Sequence, residues 1–279
     1  MATYIDANLA AKLISEEKDF KIIVISDTHI GGRTGYLPSG CMHERGEDHP
    51  QTVHQETMEK NLLLALKSIG QVDVVVFLGD MLDGKNGKAG GLDIGNTNTD
   101  IQIEWAVLFA NSIVDILKPK YLLGVDGSDY HVETSLDRRL LHRISMHHPN
   151  TDVFYGENLK FVLGEKLWYL AHRFIEGASK LGTLERYWNK FCTKTWERER
   201  TPDVIGYGHV HQAQNPSQIK NGPNPVYAFV CPSQKFPDNF CSKGSMGTFW
   251  DIGFMYLEQK GVKLTGEFIN TYEYWNVEQ

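Results

Sequence analysis

The sequence is poor in cysteine, has no long apolar run and carries no excess of positive charge. Its four cysteines, Cys41, Cys192, Cys231 and Cys241, show no C-x-x-C spacing. They are expected as reduced thiols in a cytosolic setting rather than as a disulfide framework. No apolar stretch approaches the length of a membrane span. The start, Met1-Ala-Thr-Tyr-Ile-Asp6, has neither a basic leader nor a signal-peptide core. The expectation is a cytoplasmic protein that makes no membrane contact. Lys and Arg number 28 against 35 Asp and Glu, a net charge of −7. That argues against a wholly basic protein that coats nucleic acid, although it leaves room for a local basic groove. There is no internal repeat and no linker that divides the chain, so all 279 residues are read as one domain.

What the sequence does have is a series of apolar runs that end in polar residues able to bind metal. Ile22-Ile-Val-Ile25 leads through Ser26 into Asp27-Thr-His29, and Val72 to Leu78 ends in Gly79-Asp80-Met-Leu-Asp83. Tyr121-Leu-Leu-Gly124 leads to Val125-Asp126-Gly127-Ser128-Asp129-Tyr130-His131. Leu167 to Ala171 ends in His172, and Val204 to Gly208 ends in His209-Val-His211. Such runs read as buried strands, and buried parallel strands deliver their chemistry at their C-terminal ends. In an extended segment, residues two apart face the same side, so Asp27 and His29 can grip one ion together. Singly, each piece is weak: His209 and His211 alone would read as polar residues at a strand end. Asp83 reads as shaping the loop after Asp80, and Asp126 as serving a turn. His142, His147 and His148 sit at a helix end, where cations suit the dipole.

Taken in order, the set D-x-H, G-D-x-x-D, G-S-D-x-H, a lone His and G-H-x-H resembles the calcineurin-like metallophosphoesterase family over about residues 22 to 212. That resemblance implies a four-layer α/β/β/α sandwich with metals at strand ends along one edge. It implies two divalent metal ions, Mn foremost, with Fe, Zn or Ni also suited to mixed nitrogen and oxygen ligands. By the family pattern Asp80 bridges both ions, Asp27, His29 and His211 complete one site, and His172 and His209 serve the other. The ions would clamp a phosphate ester and share one hydroxide, typically at a separation of roughly 3.5–4 Å. The third motif departs from the family form G-N-H-D or G-N-H-E. Ser128 stands where Asn is expected, and Asp129 where His is expected. Phage-like and prophage-like members carry a similar variant, and by that likeness His131 takes the catalytic role. The second ion then loses its amide ligand, or takes Asp129 or water instead. The implied activity is hydrolysis of phosphodiester bonds, with nuclease action on DNA or RNA in view. Phosphomonoester hydrolysis, and a catalytically weak binding scaffold of the same fold, are the rival readings.

The rest of the chain is read from periodicity. Residues 7–18 read as a short helix through Leu9, Leu13 and Ile14. Helices are expected at 55–69, 101–118 and 133–147, each with an apolar stripe. Short strands are expected at 153–155, 159–163, 167–171, 204–207, 226–231, 250–257 and 262–272. A βαβα first half and a mainly β second half suit two packed sheets with helices outside. Two insertions, 30–54 and 84–100, interrupt this plan. The first holds Cys41, His43, His49 and His54 in a spacing that fits no standard zinc pattern, and reads as a lid on the substrate side. A helix at 183–199 places Arg186, Lys190, Lys194 and Arg198 four residues apart, among Tyr187, Trp188, Phe191 and Trp196. This stripe is either a rail for a phosphate backbone or a solvated charged face.

Overall fold

The computed structural model describes residues 4–6, 12–15, 17–43, 46–85, 94–128, 136–173, 201–220, 225–236 and 251–271. Within them are strands β1 (Tyr4–Asp6), β2 (Lys12–Ser15), β3 (Asp19–Ile25), β4 (Val74–Leu78), β5 (Tyr121–Val125), β6 (Asp152–Gly156) and β7 (Asn158–Leu163). They continue with β8 (Lys166–Ala171), β9 (Val204–Tyr207), β10 (Gln214–Lys220), β11 (Val226–Val230), β12 (Gly253–Lys260) and β13 (Lys263–Asn270). The helices are α1 (Val53–Ile69), α2 (Thr99–Leu117) and α3 (Leu136–His147). The chain is therefore α/β, with two mixed sheets. One runs β1-β6-β5-β4-β3-β12-β13 and the other β10-β11-β9-β8-β7-β2.

Side-chain alternation explains how the layers stack. Along β3, Ile22 and Val24 enter the apolar layer shared with Phe161, Trp168, Leu170 and Phe229 of the second sheet. Ile23 and Ile25 point the other way, toward Leu62, Phe109 and Ile113 of the helices. A strand covered on both faces has no polar side to show, so β3 and β4 read as unbroken apolar runs. β3, β4, β5 and β6 are mutually parallel, as are β8, β9 and β11. Their C-terminal ends carry the residues of interest.

Helix ends follow local chemistry. Thr52 and Gln55 form a reciprocal capping box at the start of α1, and Gly70 ends that helix at φ 73°. Asn98 caps α2, and Pro119 lies just beyond its end. No helix among the described residues is long and apolar enough to cross a membrane.

Three expectations need correction. The helix read at 7–18 is not formed at 12–15, which is strand β2, paired in parallel with β7 through Lys12↔Phe161 and Leu13↔Val162. Three apolar residues at helical spacing are a weak signal, and an open sheet edge offers backbone partners that override it. The stretch after Ile30, read as a lid on the substrate side, is packed into the body of the fold. Tyr36, Leu37 and Cys41 are buried in the helix-side core, Tyr36 packs on Phe109, and the Trp105 indole donates to the Met42 carbonyl. Strand β10 was not anticipated: its sequence Gln-Asn-Pro-Ser-Gln-Ile-Lys lacks an apolar alternation and holds a proline, which an edge strand tolerates. The helix expected at 183–199 lies outside the described residues.

Candidate metal centre

The loops that follow β3 and β4 leave the sheet side by side. Asp27 N–H donates to the Gly79 carbonyl, His29 N–H to Asp80 and Ile30 N–H to Met81, each at 3.0 Å. Asp83 N–H returns to the Ile30 carbonyl at 2.9 Å, and the Thr28 hydroxyl reaches the Met81 carbonyl at 2.6 Å. The two acid-bearing turns are thereby fixed to each other before any side chain is considered.

Their backbone is strained in a way the sequence could not show. Six non-glycine residues among those described have positive φ, and five are Asp27 (54°), His29 (47°), Asp80 (49°), His209 (71°) and His211 (56°). The sixth, Lys118, closes α2. Left-handed backbone is costly for residues with a Cβ, about 1–3 kcal/mol each, and persists where the surroundings impose it, often at functional sites. It also corrects one expectation: Asp27 and His29 are not aligned by extended alternation. Tight turns aim them instead. The glycines of the motifs allow the crowding. A Cβ on Gly79 would lie 2.5 Å from His172 Cγ, and one on Gly208 would lie 2.8 Å from Asp27 Oδ2.

Each carboxylate has one oxygen tied to the scaffold and one turned to the imidazoles. Asp27 Oδ2 accepts from the Ser26 hydroxyl at 2.6 Å and from His209 N–H at 2.9 Å. Asp27 Oδ1 is buried without a hydrogen-bond partner among the described residues, and lies 3.1 Å from His211 Nε2, 3.7 Å from His29 Nε2 and 3.8 Å from His172 Nε2. Asp80 Oδ1 accepts from Ser128 N–H at 2.6 Å, while Asp80 Oδ2 faces His172 Nε2 at 2.9 Å and His209 Nδ1 at 4.0 Å. The far nitrogens of two rings are also held. His29 Nδ1 meets Asp83 Oδ1 at 3.2 Å, and His172 Nδ1 meets the Leu78 carbonyl at 2.7 Å. That pattern turns both Nε2 atoms inward, as second-shell partners of metal-binding histidines do.

The ligand atoms fall into two groups able to hold an ion, Asp27/Asp80/His172/His209 and Asp27/His29/His211. All six core residues read from the sequence are brought together. The shared carboxylate is Asp27, whereas the resemblance assigns the bridge to Asp80. The donor set fits a transition-metal cation. His29 Nε2 and His211 Nε2 are 3.3 Å apart. Two nitrogens each about 2.1 Å from one ion would be separated by roughly 3.0–3.4 Å.

The same charges govern how these groups titrate. Burial would raise the Asp27 carboxyl, but His172 and His211 outweigh it and hold it well below the usual range. Asp80 is likewise held low, mainly by His172 against the effect of burial. Burial works against a charged His172, yet Asp80 and Asp27 raise it to about 9. Burial dominates at His211 and lowers it to about 4 despite Asp27.

Other expected site residues are placed differently. Ser128 serves Asp80: its hydroxyl reaches Asp80 Oδ2 at 3.0 Å and its N–H holds Oδ1. Asp129, His131, Arg186, Lys190 and Lys194 lie outside the described residues. Cys41, His43, His49 and His54 belong to neither ion-holding group among the described residues. His43 and His49 pair at 2.7 Å, His49 stacks on Trp105, and His54 lies against Phe236. His147 and His148 tie α3 to Asn111 of α2, in keeping with a structural role. Sequence reasoning missed the aligning role of Asp83, the tether from Ser26, and Lys235, a buried lysine next to Gln234, whose N–H donates to the Asp27 carbonyl. Only the D-x-x-D spacing after Gly79 hinted at the first.

No family model matches the chain, and no curated protein matches it. Among solved structures, the chain is similar to a protein of unknown function from Aquifex aeolicus at 17% identity, with a TM-score of 0.31. The match covers 68% of this chain and 79% of that one.

Proposed function

We propose that the chain is a dinuclear metal-dependent phosphoesterase of the calcineurin-like kind, built on the α/β/β/α form of its two-sheet fold. The observation that carries this reading is the pair of ion-holding groups joined through one buried carboxylate, Asp27. Two adjoining groups suit a phosphoryl centre, which needs charge on more than one of its oxygens. Two divalent ions, when bound, would supply that charge and a water acidic enough to attack near neutral pH. The chain's own part is orientation. Ser26, Ser128, Asp83 and the Leu78 carbonyl fix the ligand atoms, and the buried apolar layers behind them exclude water from that side.

Phosphodiesters are the favoured substrates, with nucleic acid in view. This preference rests on the likeness of the Gly127–His131 variant to phage-like members and on the Arg186/Lys190/Lys194 stripe. Asp129 is assigned to the second ion and His131 to the leaving group on the same ground. The test is metal content of the purified protein, paired with turnover of bis(nitrophenyl) phosphate and nitrophenyl phosphate in Mn, Fe, Zn and Ni. Two ions per chain with faster diester cleavage is the expected result. Faster monoester cleavage would select the phosphatase reading, and two bound ions without turnover would select the scaffold.

A further inference from the structure

The two sheets are joined beside the centre at Asp251, a residue that no motif of the sequence contains. Asp251 stands just before β12 of the seven-stranded sheet, and it touches the arm 208–213 that links β9 to β10 of the other sheet. That arm is tightly turned. His209 and His211 both have left-handed backbone, and Val210 N–H folds back on the Gly208 carbonyl at 2.9 Å. Pairing with β11 begins again at Gln214↔Val230. Before that point Asp251 grips the arm twice. Its N–H donates to the His211 carbonyl at 3.2 Å, and its Oδ2 accepts from Ala213 N–H at 2.7 Å. The second bond spans 38 positions, so it is not an aspartate turning on its own neighbouring backbone.

The grip reaches the Asp27 turn as well. Ser233 N–H donates to the Asp251 carbonyl at 3.1 Å, and the next residue, Gln234, donates its N–H to the Asp27 carbonyl at 3.1 Å. Ser233 and Gln234 are fully buried. Backbone bonds therefore hold Asp27 and His211 to one frame, and their side chains meet at 3.1 Å between Asp27 Oδ1 and His211 Nε2. A left-handed residue with a Cβ stays so where its surroundings hold it. Asp251 supplies such holds on His211 and two residues later. His209 is held at a different point, by its N–H on Asp27 Oδ2 at 2.9 Å.

We propose that Asp251 is a positioning residue for the Asp27/His29/His211 group. By clamping the backbone on either side of Gln212 it sets where His211 Nε2 stands, and so governs the ion held there rather than its neighbour. Asp251 acts through His211 and not on an ion itself. The proposal rests on the two-ion reading above, and its readout is metal binding rather than turnover.

The test uses the full chain as wild type, Asp251→Ala, Asp251→Asn, His211→Ala and the double variant of Asp251→Ala with His211→Ala. Each is titrated with Zn and with Mn by calorimetry and then melted. Asp251→Ala removes the acceptor for Ala213 N–H. It should bind one ion as the wild type does and the other about 10–100-fold more weakly, the scale on which outer partners of metal ligands act. Asp251→Asn keeps an acceptor oxygen and should restore most of that affinity. His211→Ala should lose the same ion, and the double variant should lose nothing further, because the two changes act on one site. Equal weakening of both ions by Asp251→Ala overturns the proposal, since a purely structural role would give that result. Unchanged affinity for both ions overturns it, as does Asp251→Asn binding no more tightly than Asp251→Ala. Each of these leaves the phosphoesterase reading intact, because the wild type still holds two ions. A wild type that binds neither Zn nor Mn overturns that reading and this inference with it. If Asp251→Ala does not fold, amide hydrogen exchange decides. An ion whose binding depends on the clamp must in turn steady the clamp. Zn should therefore slow exchange of the Ala213 N–H in the wild type and not in His211→Ala. No slowing, or slowing that survives His211→Ala, overturns the proposal.

Discussion

The two sheets meet at one centre but contribute to it unequally. The seven-stranded sheet supplies both carboxylates and His29, all at most 1% exposed. Their turns are joined by backbone hydrogen bonds and aimed by left-handed residues. The six-stranded sheet supplies imidazoles along a gradient. The His172 side chain is 1% exposed, His211 12% and His209 36%. The difference teaches that one wall of the centre is built in advance, whereas the other opens to solvent at His209.

Breaking the built wall should have the largest effect. Asp27 belongs to both ion-holding groups and Asp80 to one, while the family pattern makes Asp80 the bridge. Both Asp27→Asn and Asp80→Asn should reduce turnover to background, but their metal contents should differ. If the geometry governs, Asp27→Asn loses both ions and Asp80→Asn keeps the one held by His29 and His211. Metal stoichiometry decides, and a doubly loaded Asp27→Asn would contradict the geometric assignment.

The open wall should yield more gently. His209→Ala removes a half-exposed ligand from one group only, so stoichiometry should fall from two ions to one while the melt changes little. Loss of both ions would mean that the two walls are not separable. Smaller again is the effect behind the ligands. Asp83 touches His29 Nδ1 and neither ion-holding group includes it. Asp83→Ala should weaken metal binding by about 10–100-fold, the usual scale for an outer partner of a ligating histidine. An unchanged metal titration would show that the tight turn alone orients His29.

The same inequality explains what the sequence disclosed. β3, β4, β8 and β9 were legible because strands buried on both faces are continuously apolar, and their ends carry Asp27, Asp80, His172, His209 and His211 in a recognisable order. The two-sheet plan followed from the change from βαβα to short strands. β2 and β10 were not legible, because edge pairing needs little apolar pattern. Lys235 was missed since a single lysine after a strand has no motif, and its neighbours Gln234 and Phe236 are bonded to Asp27 and Thr34, about 200 positions earlier. Asp83 was assigned to loop shape, and its N–H does join the Ile30 carbonyl; its carboxylate also holds the His29 ring.

The smallest effect concerns Asp137, at the foot of α3, which supports the turn after β5. Asp137 Oδ2 accepts from Gly127 N–H at 2.9 Å, and Oδ1 is buried without a hydrogen-bond partner among the described residues. Burial, helped by Asp80 and Asp126, raises this carboxyl to about 8 although the Gly127 N–H pulls the other way. The unfolded carboxyl titrates near 3.9. Between those values the folded chain holds a proton that the unfolded chain has released. The stabilisation linked to that proton is complete below about pH 4 and is lost as pH rises through about 8. Asn keeps an acceptor for Gly127 and cannot ionise. In metal-free protein, the melting temperature of Asp137→Asn relative to the wild type should therefore rise from pH 6 to about pH 8 and then level off. A bound cation beside Asp80 would lower the Asp137 carboxyl and shrink the gap, so the melts are compared with and without Mn. Parallel melting curves from pH 6 to 9 in the metal-free proteins would show that Asp137 ionises without penalty.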